Sequence, residues 1–315
     1  MYHSFFGLRE GPFNVNPDPR YLYLTKQVEE ATAGLMYGVQ ARKGFITLIG
    51  EVGTGKTTLI NRLLEWLQKQ RINTAFIFNS RINSAQLLET VLTEFDIPYE
   101  SRSKNQQLLK LNHWLLERHR NGETAVLIVD EAQNLTYPVL EEIRLLTNLE
   151  TTTEKLLQIV LSGQPELEEK LKLPQLRQLR QRITLQCKTY PLTKEQTHEY
   201  IADRLRIAGA NGEPIFSQAA MDVVHRYSLG IPRVVNLLCE HALGNAYVEE
   251  QRPILPELVD EIAREFNLHE VEPIARPGTL AVSQEVYNSE AFVQNLGEAL
   301  SRFRMDPTRM RGGKG

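Results

Sequence analysis

The chain has 315 residues, 42% of them hydrophobic and 24% charged, with 36 Lys and Arg against 39 Asp and Glu for a formal net charge of -3. That length and apolar fraction suffice for one large or two modest cores, and the near-neutral balance excludes a global pull toward nucleic acid or anionic lipid, leaving only local patches. Cys187 and Cys239 lack metal-ligand spacing and read as buried reduced thiols.

The N-terminus "MYHSFFGLREGPF" has no basic region followed by an apolar core, and no long uninterrupted apolar run occurs, so neither a signal peptide nor a membrane span is expected and the cytoplasm is the expected compartment. Residues 1–43 contain "GPFNVNPDPRYLYL", aromatic and proline-rich, with neither helical nor strand periodicity. From residue 44 to 191 short β-branched runs alternate with helical patterns. "GFITLIG" (44–50), "NTAFIFN" (73–79), "TAVLIVD" (124–130), "LLQIVLSG" (156–163) and "RITLQCK" (182–188) read as strands of a parallel sheet, covered on both faces and so without polar alternation. Between them, "TTLINRLLEWLQKQ" carries Leu59, Leu63, Leu64 and Leu67 on one stripe, and "SAQLLETVLTEF" and "NQQLLKLNHWLLERHR" behave alike. Strand and helix in alternation predict a three-layer αβα core with a parallel sheet.

From 192 to 269 the periodicity is helical throughout, which predicts a second, all-helical domain. Residues 270–283, with Pro273, Pro277 and Gly278, read as a linker. Residues 284–315 hold Phe292, Leu296, Leu300 and Phe303 at helical spacing and then a basic tail; a solvated tail and a partner-docking helix both fit.

"GEVGTGKTT", residues 50–58, fits G-x-x-x-x-G-K-[ST] between a predicted strand and a predicted helix. Glycines at 50, 53 and 55 let successive N–H groups of Glu51, Val52, Thr54 and Thr58 curl toward a phosphate, at a helix start that favours negative charge. Lys56 supplies a full charge at the β- and γ-phosphates, and the Thr57 hydroxyl can ligate Mg²⁺. ATP and Mg²⁺ are the cofactors this chemistry calls for. In "AVLIVDEAQNL" a carboxylate closes a buried apolar strand, a costly placement without a positive group to meet it. Asp130 is therefore the expected Mg²⁺-orienting residue and Glu131 the group that polarises the attacking water.

These motifs and the two-part organisation resemble the AAA+ ATPases. More narrowly, "FFGLREGPFNVNPDPRYLYLT", "GFITLIGEVGTGKTTLINRLL", "LIVDEAQNL", "LEEIRLLTNLET" and "LLQIVLSGQPELEEKL" resemble the general secretion pathway protein A family over about residues 1–268. The resemblance implies a P-loop NTPase core followed by an AAA+ helical lid. It implies a polar sensor after the fourth strand, Ser162 or Gln164, with the longer amide of Gln164 preferred. An arginine acting on a neighbouring subunit's nucleotide is expected among Arg177, Arg180 and Arg182, of which Arg182 best matches the placement. "SLGIPRVVNLL" resembles the sensor-2 motif and puts Arg233 at a helix start, where a cation gains nothing from the dipole. Pro17 to Tyr23 would wrap the adenine, or Phe5, Phe6, Phe13 and Tyr21 would cap the edge of the core, or both.

The implied role is an ATPase driving assembly or operation of a secretion or envelope-export system, as a homo-oligomeric ring or filament whose lid moves with the nucleotide. Secretion members continue into a membrane span and a wall-binding part, so any attachment to the inner membrane is expected through a protein partner. The alternative is a DNA-bound helper of transposition or replication, for which "SRSKNQQLLKLNHWLLERHR" and residues 177–182 are the basic stretches. A slow-turnover switch is a third reading, against which the intact Glu131 stands.

Overall fold

The computed structural model describes residues 2–14, 19–78, 80–100 and 103–268. The linker, the amphipathic stretch from Phe292 to Phe303, the basic tail and Pro17 lie outside the described residues. In chain order the elements begin with α1 (Tyr2–Phe6), α2 (Lys26–Gln40), β1 (Phe45–Ile49), α3 (Lys56–Lys69), β2 (Asn73–Ile77), α4 (Ser84–Glu94), α5 (Lys104–Arg120) and β3 (Ala125–Val129). They continue with α6 (Tyr137–Leu146), β4 (Leu157–Gly163), α7 (Pro165–Lys172), α8 (Arg177–Arg180), β5 (Leu185–Lys188), α9 (Lys194–Ile207), α10 (Gln218–Ser228), α11 (Pro232–Val248) and α12 (Pro256–Glu265).

Contacts divide the chain into two units. The larger is built on a five-stranded parallel sheet in the order β2-β3-β4-β1-β5. Pairings such as Phe45↔Ile159, Ala125↔Leu157 and Asn73↔Ala125 set a register in which like faces stay aligned across the sheet. Phe45, Leu127, Val129, Ile159 and Leu161 share one core with Leu87, Leu111, Leu140, Ile143 and Leu167 of the flanking helices. Ile46, Leu48, Val126, Ile128 and Val160 share the other with Leu35 of α2 and Leu59, Leu63 and Leu67 of α3. The expected three-layer αβα fold is thus present, and the absence of polar alternation in β1 and β3 follows from burial on both faces. The fifth strand begins later than expected. Arg182 and Ile183 donate backbone N–H groups to the carbonyls of Leu179 and Arg180 at 3.0 and 3.1 Å, so these residues prolong the turn of α8 and pairing starts at Leu185.

The second unit comprises the described residues of Met1–Thr25, Glu51–Thr58 and Tyr190–Gly278. Its core gathers Ile201, Leu205, Val224, Leu238, Cys239, Leu243, Val259 and Ile262 from α9 to α12 with Phe6, Leu8 and Phe13 from the N-terminal segment. Phe6 and Phe13 therefore fill the helical core, Phe13 edge-to-face with Phe216 at 6.3 Å. The Arg9 N–H donates to the Ala208 carbonyl at 2.7 Å, and the Tyr2 hydroxyl to Glu240 at 2.7 Å. Buried Arg204 donates to the Pro12 carbonyl at 2.5 Å and stacks over Tyr21 and Tyr200 at 4.7 and 5.1 Å, so its charge is met by a carbonyl and two ring faces. Thr193 opens α9 with a reciprocal capping box to Gln196.

Both cysteines are free and buried, and burial pushes the Cys187 thiol up to about 12, so neither is a poised nucleophile. No helix among the described residues is long and apolar enough to cross a membrane.

Candidate functional site

The phosphate-binding pattern begins where β1 ends. Gly50 donates its N–H to the Gly163 carbonyl at 3.2 Å, tying the strand end to β4. Beyond it the loop closes on one carbonyl: Glu51 accepts from the Thr54 N–H at 3.3 Å, the Thr54 hydroxyl at 2.7 Å and the Lys56 ammonium at 2.9 Å. Gly53 and Gly55 have φ of 80° and 94°, the left-handed values that allow the loop to curl. Thr54 and Lys56 are buried, whereas Glu51, Val52 and Thr57 are exposed and Thr58 is half-buried. Lys56 is the first residue of α3, so the N–H groups of Lys56, Thr57 and Thr58 belong to a helix start that has no intrahelical acceptors for them.

Arg233 lies in the same unit and meets this loop. Pro232 begins α11, and the Arg233 N–H donates to the Gly53 carbonyl at 3.3 Å. The contact is close enough that a Cβ on Gly53 would stand 2.8 Å from the Arg233 Cβ and 3.0 Å from Ile231 Cγ2. Arg233 as a whole is exposed.

In the sheet-bearing unit, β3 delivers the acidic pair. Asp130 is buried; its N–H donates to the Ile77 carbonyl at 2.9 Å and its Oδ1 accepts the Glu131 N–H at 2.9 Å. Glu131 adopts φ 51° and ψ 36°, a left-handed conformation that costs a non-glycine residue about 1–2 kcal/mol. Neighbours hold it there. Its carbonyl accepts the Ser80 hydroxyl at 2.7 Å and the Asn134 N–H at 3.0 Å, and its Oε2 accepts from the side-chain amides of Gln133, at 2.5 Å, and Gln164, at 3.2 Å. Of the two expected sensors, Gln164 touches Glu131; Ser162 is buried within β4 with its Oγ unpartnered among the described residues.

The donors suit Mg²⁺ arriving with a nucleotide. That ion takes one or two protein oxygens and fills its octahedron with phosphate and water. In the sheet-bearing unit Asp130 commits Oδ1 to the Glu131 N–H and leaves Oδ2 as an oxygen of the required kind, and in the other unit Thr57 offers an exposed hydroxyl. Among the described residues no three His, Cys, Asp or Glu groups cluster as a resident metal centre would require.

Arg177 and Arg180 are exposed on α8, and Arg182 is half-buried just after it. Glu150 is held below the usual carboxylate range chiefly by Lys155 and to a lesser degree by Arg182. Among the described residues none of the three arginines bonds to Asp130, Glu131 or Gln164. Sequence reasoning passed over Gln133, although "DEAQ" places it two residues after the acidic pair.

Residues 39–171 match the AAA domain family. Over 256 residues, 81% of the chain, the sequence is 44% identical to general secretion pathway protein A of Aeromonas hydrophila, of which the match covers 46%. The chain thus spans about half the length of that relative. Among solved structures it is similar to Cdc6p of Pyrobaculum aerophilum, with a TM-score of 0.60 at 17% identity over 82% of this chain and 71% of that one. It is also similar to ORC2 of Aeropyrum pernix in its ADPNP–ADP complexes, with a TM-score of 0.58 at 17% identity over 81% and 71%. At such identity the likeness shows the fold alone. Residues 39–171 therefore carry an AAA domain, and with a P-loop between β1 and α3, a five-stranded parallel sheet and a helical C-terminal part the chain has the fold of an AAA+ protein.

Proposed function

We propose that the chain binds ATP with Mg²⁺ through residues 50–58 and hydrolyses it to ADP and phosphate. The observation that carries this reading is the state of the Glu131 carboxylate: Oε2 is held by two amides, and Oε1 has no partner among the described residues. A carboxylate so oriented can accept a proton from the attacking water through Oε1 while the γ-phosphorus–oxygen bond breaks. Lys56 and the loop N–H groups bind the phosphates, with Arg233 adding charge from the first turn of α11. Gln164 both donates to Glu131 and retains an amide oxygen for the water. Thr57 and Asp130 would hold Mg²⁺, which when bound neutralises phosphate charge.

In this reading, hydrolysis moves the helical unit, and a homo-oligomer brings Arg182 to a neighbour's nucleotide. The client is the protein apparatus of a secretion or envelope-export system at the cytoplasmic side of the inner membrane, supported by the 44% identity to general secretion pathway protein A. Phosphate release and calorimetry test it. Lys56→Ala should show no nucleotide binding, and Glu131→Gln should bind ATP with turnover reduced by about 10²–10⁴. Wild-type turnover in the Glu131 variant would overturn the assignment. Turnover stimulated by duplex DNA at low salt, with the stimulation lost as salt rises, would move the client from a secretion apparatus to nucleic acid.

A further inference from the structure

The geometry points to Gln133 as the positioning residue of hydrolysis: it fixes the Glu131 carboxylate and couples it to Gln164, an inference that rests on the ATPase reading above. Gln133 uses both ends of its amide. Its Oε1 accepts the Gln164 backbone N–H at 3.1 Å, and its Nε2 donates to Glu131 Oε2. Because Oε1 must face an N–H, the donor end must face the carboxylate, so the network itself fixes which way the amide points. The Gln164 side chain donates to the same Oε2 at 3.2 Å. One carboxylate oxygen is thereby committed twice, and the other is directed away from the pair.

The support beneath Gln133 is also built. Lys170 of α7 donates its ammonium to the Gln133 carbonyl at 2.5 Å and the Leu135 carbonyl at 2.9 Å. The lysine thus clamps the 3₁₀ turn Ala132–Asn134, which follows left-handed Glu131 and carries Gln133. Gly163 completes the fit: a Cβ there would lie 3.0 Å from Gln133 Oε1 and 2.8 Å from Leu167 Cδ2. Strand β4, helix α7 and the turn after β3 therefore meet at one amide, and a shift of Gln164 on reading the γ-phosphate is passed to Glu131 through it.

The test uses the full chain and steady-state phosphate release with calorimetric ATP binding. Gln133→Met keeps volume and removes both hydrogen bonds; kcat should fall about 10- to 100-fold while ATP affinity stays within about threefold, the signature of a misplaced group and not of a lost binding contact. Gln133→Glu sets a second carboxylate against Glu131. Its activity should be low at neutral pH and recover toward acid pH as the pair shares one proton, a response that a purely structural residue would not give. Wild-type kcat in Gln133→Met, or a kcat above wild type, overturns the inference; the second result would make the amide a restraint instead of a support. If the wild-type chain releases no phosphate, the ATPase reading fails and the inference falls with it, whereas an active wild type with an indifferent Gln133→Met sinks the inference alone.

Discussion

The Arg233 N–H donates to the Gly53 carbonyl at 3.3 Å, so the first turn of α11 and the phosphate-binding loop are one hydrogen-bonded assembly within their unit. Gly53 is needed there twice over, for φ of 80° and for lack of a Cβ that would stand 2.8 Å from Arg233. Gly55 has the same backbone requirement at 94°, yet a Cβ there meets nothing within 4 Å. Two alanine variants separate the effects. Gly55→Ala should cost about 1–2 kcal/mol of backbone strain, whereas Gly53→Ala should cost more and also displace Arg233. Thermal melts and ATP titrations of both variants check the order; equal losses would mean that contact with Arg233 contributes nothing.

A second glycine fixes the same region. Gly230 sits at φ 74° between α10 and α11, its carbonyl accepts the Leu192 N–H at 2.8 Å, and a Cβ would fall 1.9 Å from the Leu192 carbonyl oxygen. The obstacle is backbone, which cannot swing aside as a side chain would. Gly230→Ala should therefore destabilise the helical unit by well over the roughly 1–3 kcal/mol of left-handed strain alone. Far-UV circular dichroism melts should show an early transition, and an unchanged melting curve would contradict the packing described.

The sheet was legible because β1 and β3 are apolar on both faces, a requirement that a buried parallel strand imposes on every residue. The curl of the loop was legible because its glycines fall at the spacing that lets Gly53 and Gly55 take left-handed φ before the helix begins at Lys56. The N-terminal aromatics were not. Phe13 declares that it will be buried, but its partner Phe216 lies some 200 positions away, and composition does not say which core receives it. Gln133 was hidden for a different reason: its amide reaches Oε2 only because Glu131 turns left-handed, and nothing in "DEAQ" signals that backbone. The late start of β5 has the same origin, since two local hydrogen bonds outcompete sheet pairing at Arg182 and Ile183.

The helical unit should lose stability on mild acidification. His225 is held below its ordinary value first by burial and then by His198 and Lys194, against the opposing pull of Glu195 and Asp222, and its Nδ1 meets the Thr197 hydroxyl at 2.9 Å. A histidine lowered on folding is bound neutral, so its contribution is complete above the unfolded value near 6.5 and is lost as pH falls from there through its folded value. Asp222, held below the carboxylate range chiefly by Lys194, loses its contribution only at still lower pH and does not offset this window. The melting temperature should fall between pH 7 and 5, and His225→Asn should flatten that slope. An identical slope in the variant would assign the acid sensitivity elsewhere.

Arg182 provides the test of assembly. Its backbone is fixed by the bond to Leu179 at 3.0 Å and the residue is half-buried, with Glu150 a carboxylate that feels its charge. If the residue serves a neighbouring subunit, Arg182→Ala should retain ATP binding and lose turnover by about 10³ or more, the scale of an arginine acting on transferring phosphate. Mixing Arg182→Ala with Glu131→Gln should then restore part of the activity, because some interfaces would pair an intact Arg182 with an intact Glu131. Recovery should peak near equal proportions. No recovery at any ratio would place the role of Arg182 within its own chain, where its charge reaches Glu150 in support of Lys155, and would leave Arg177 and Arg180 on the exposed face of α8 as the arginines to test next.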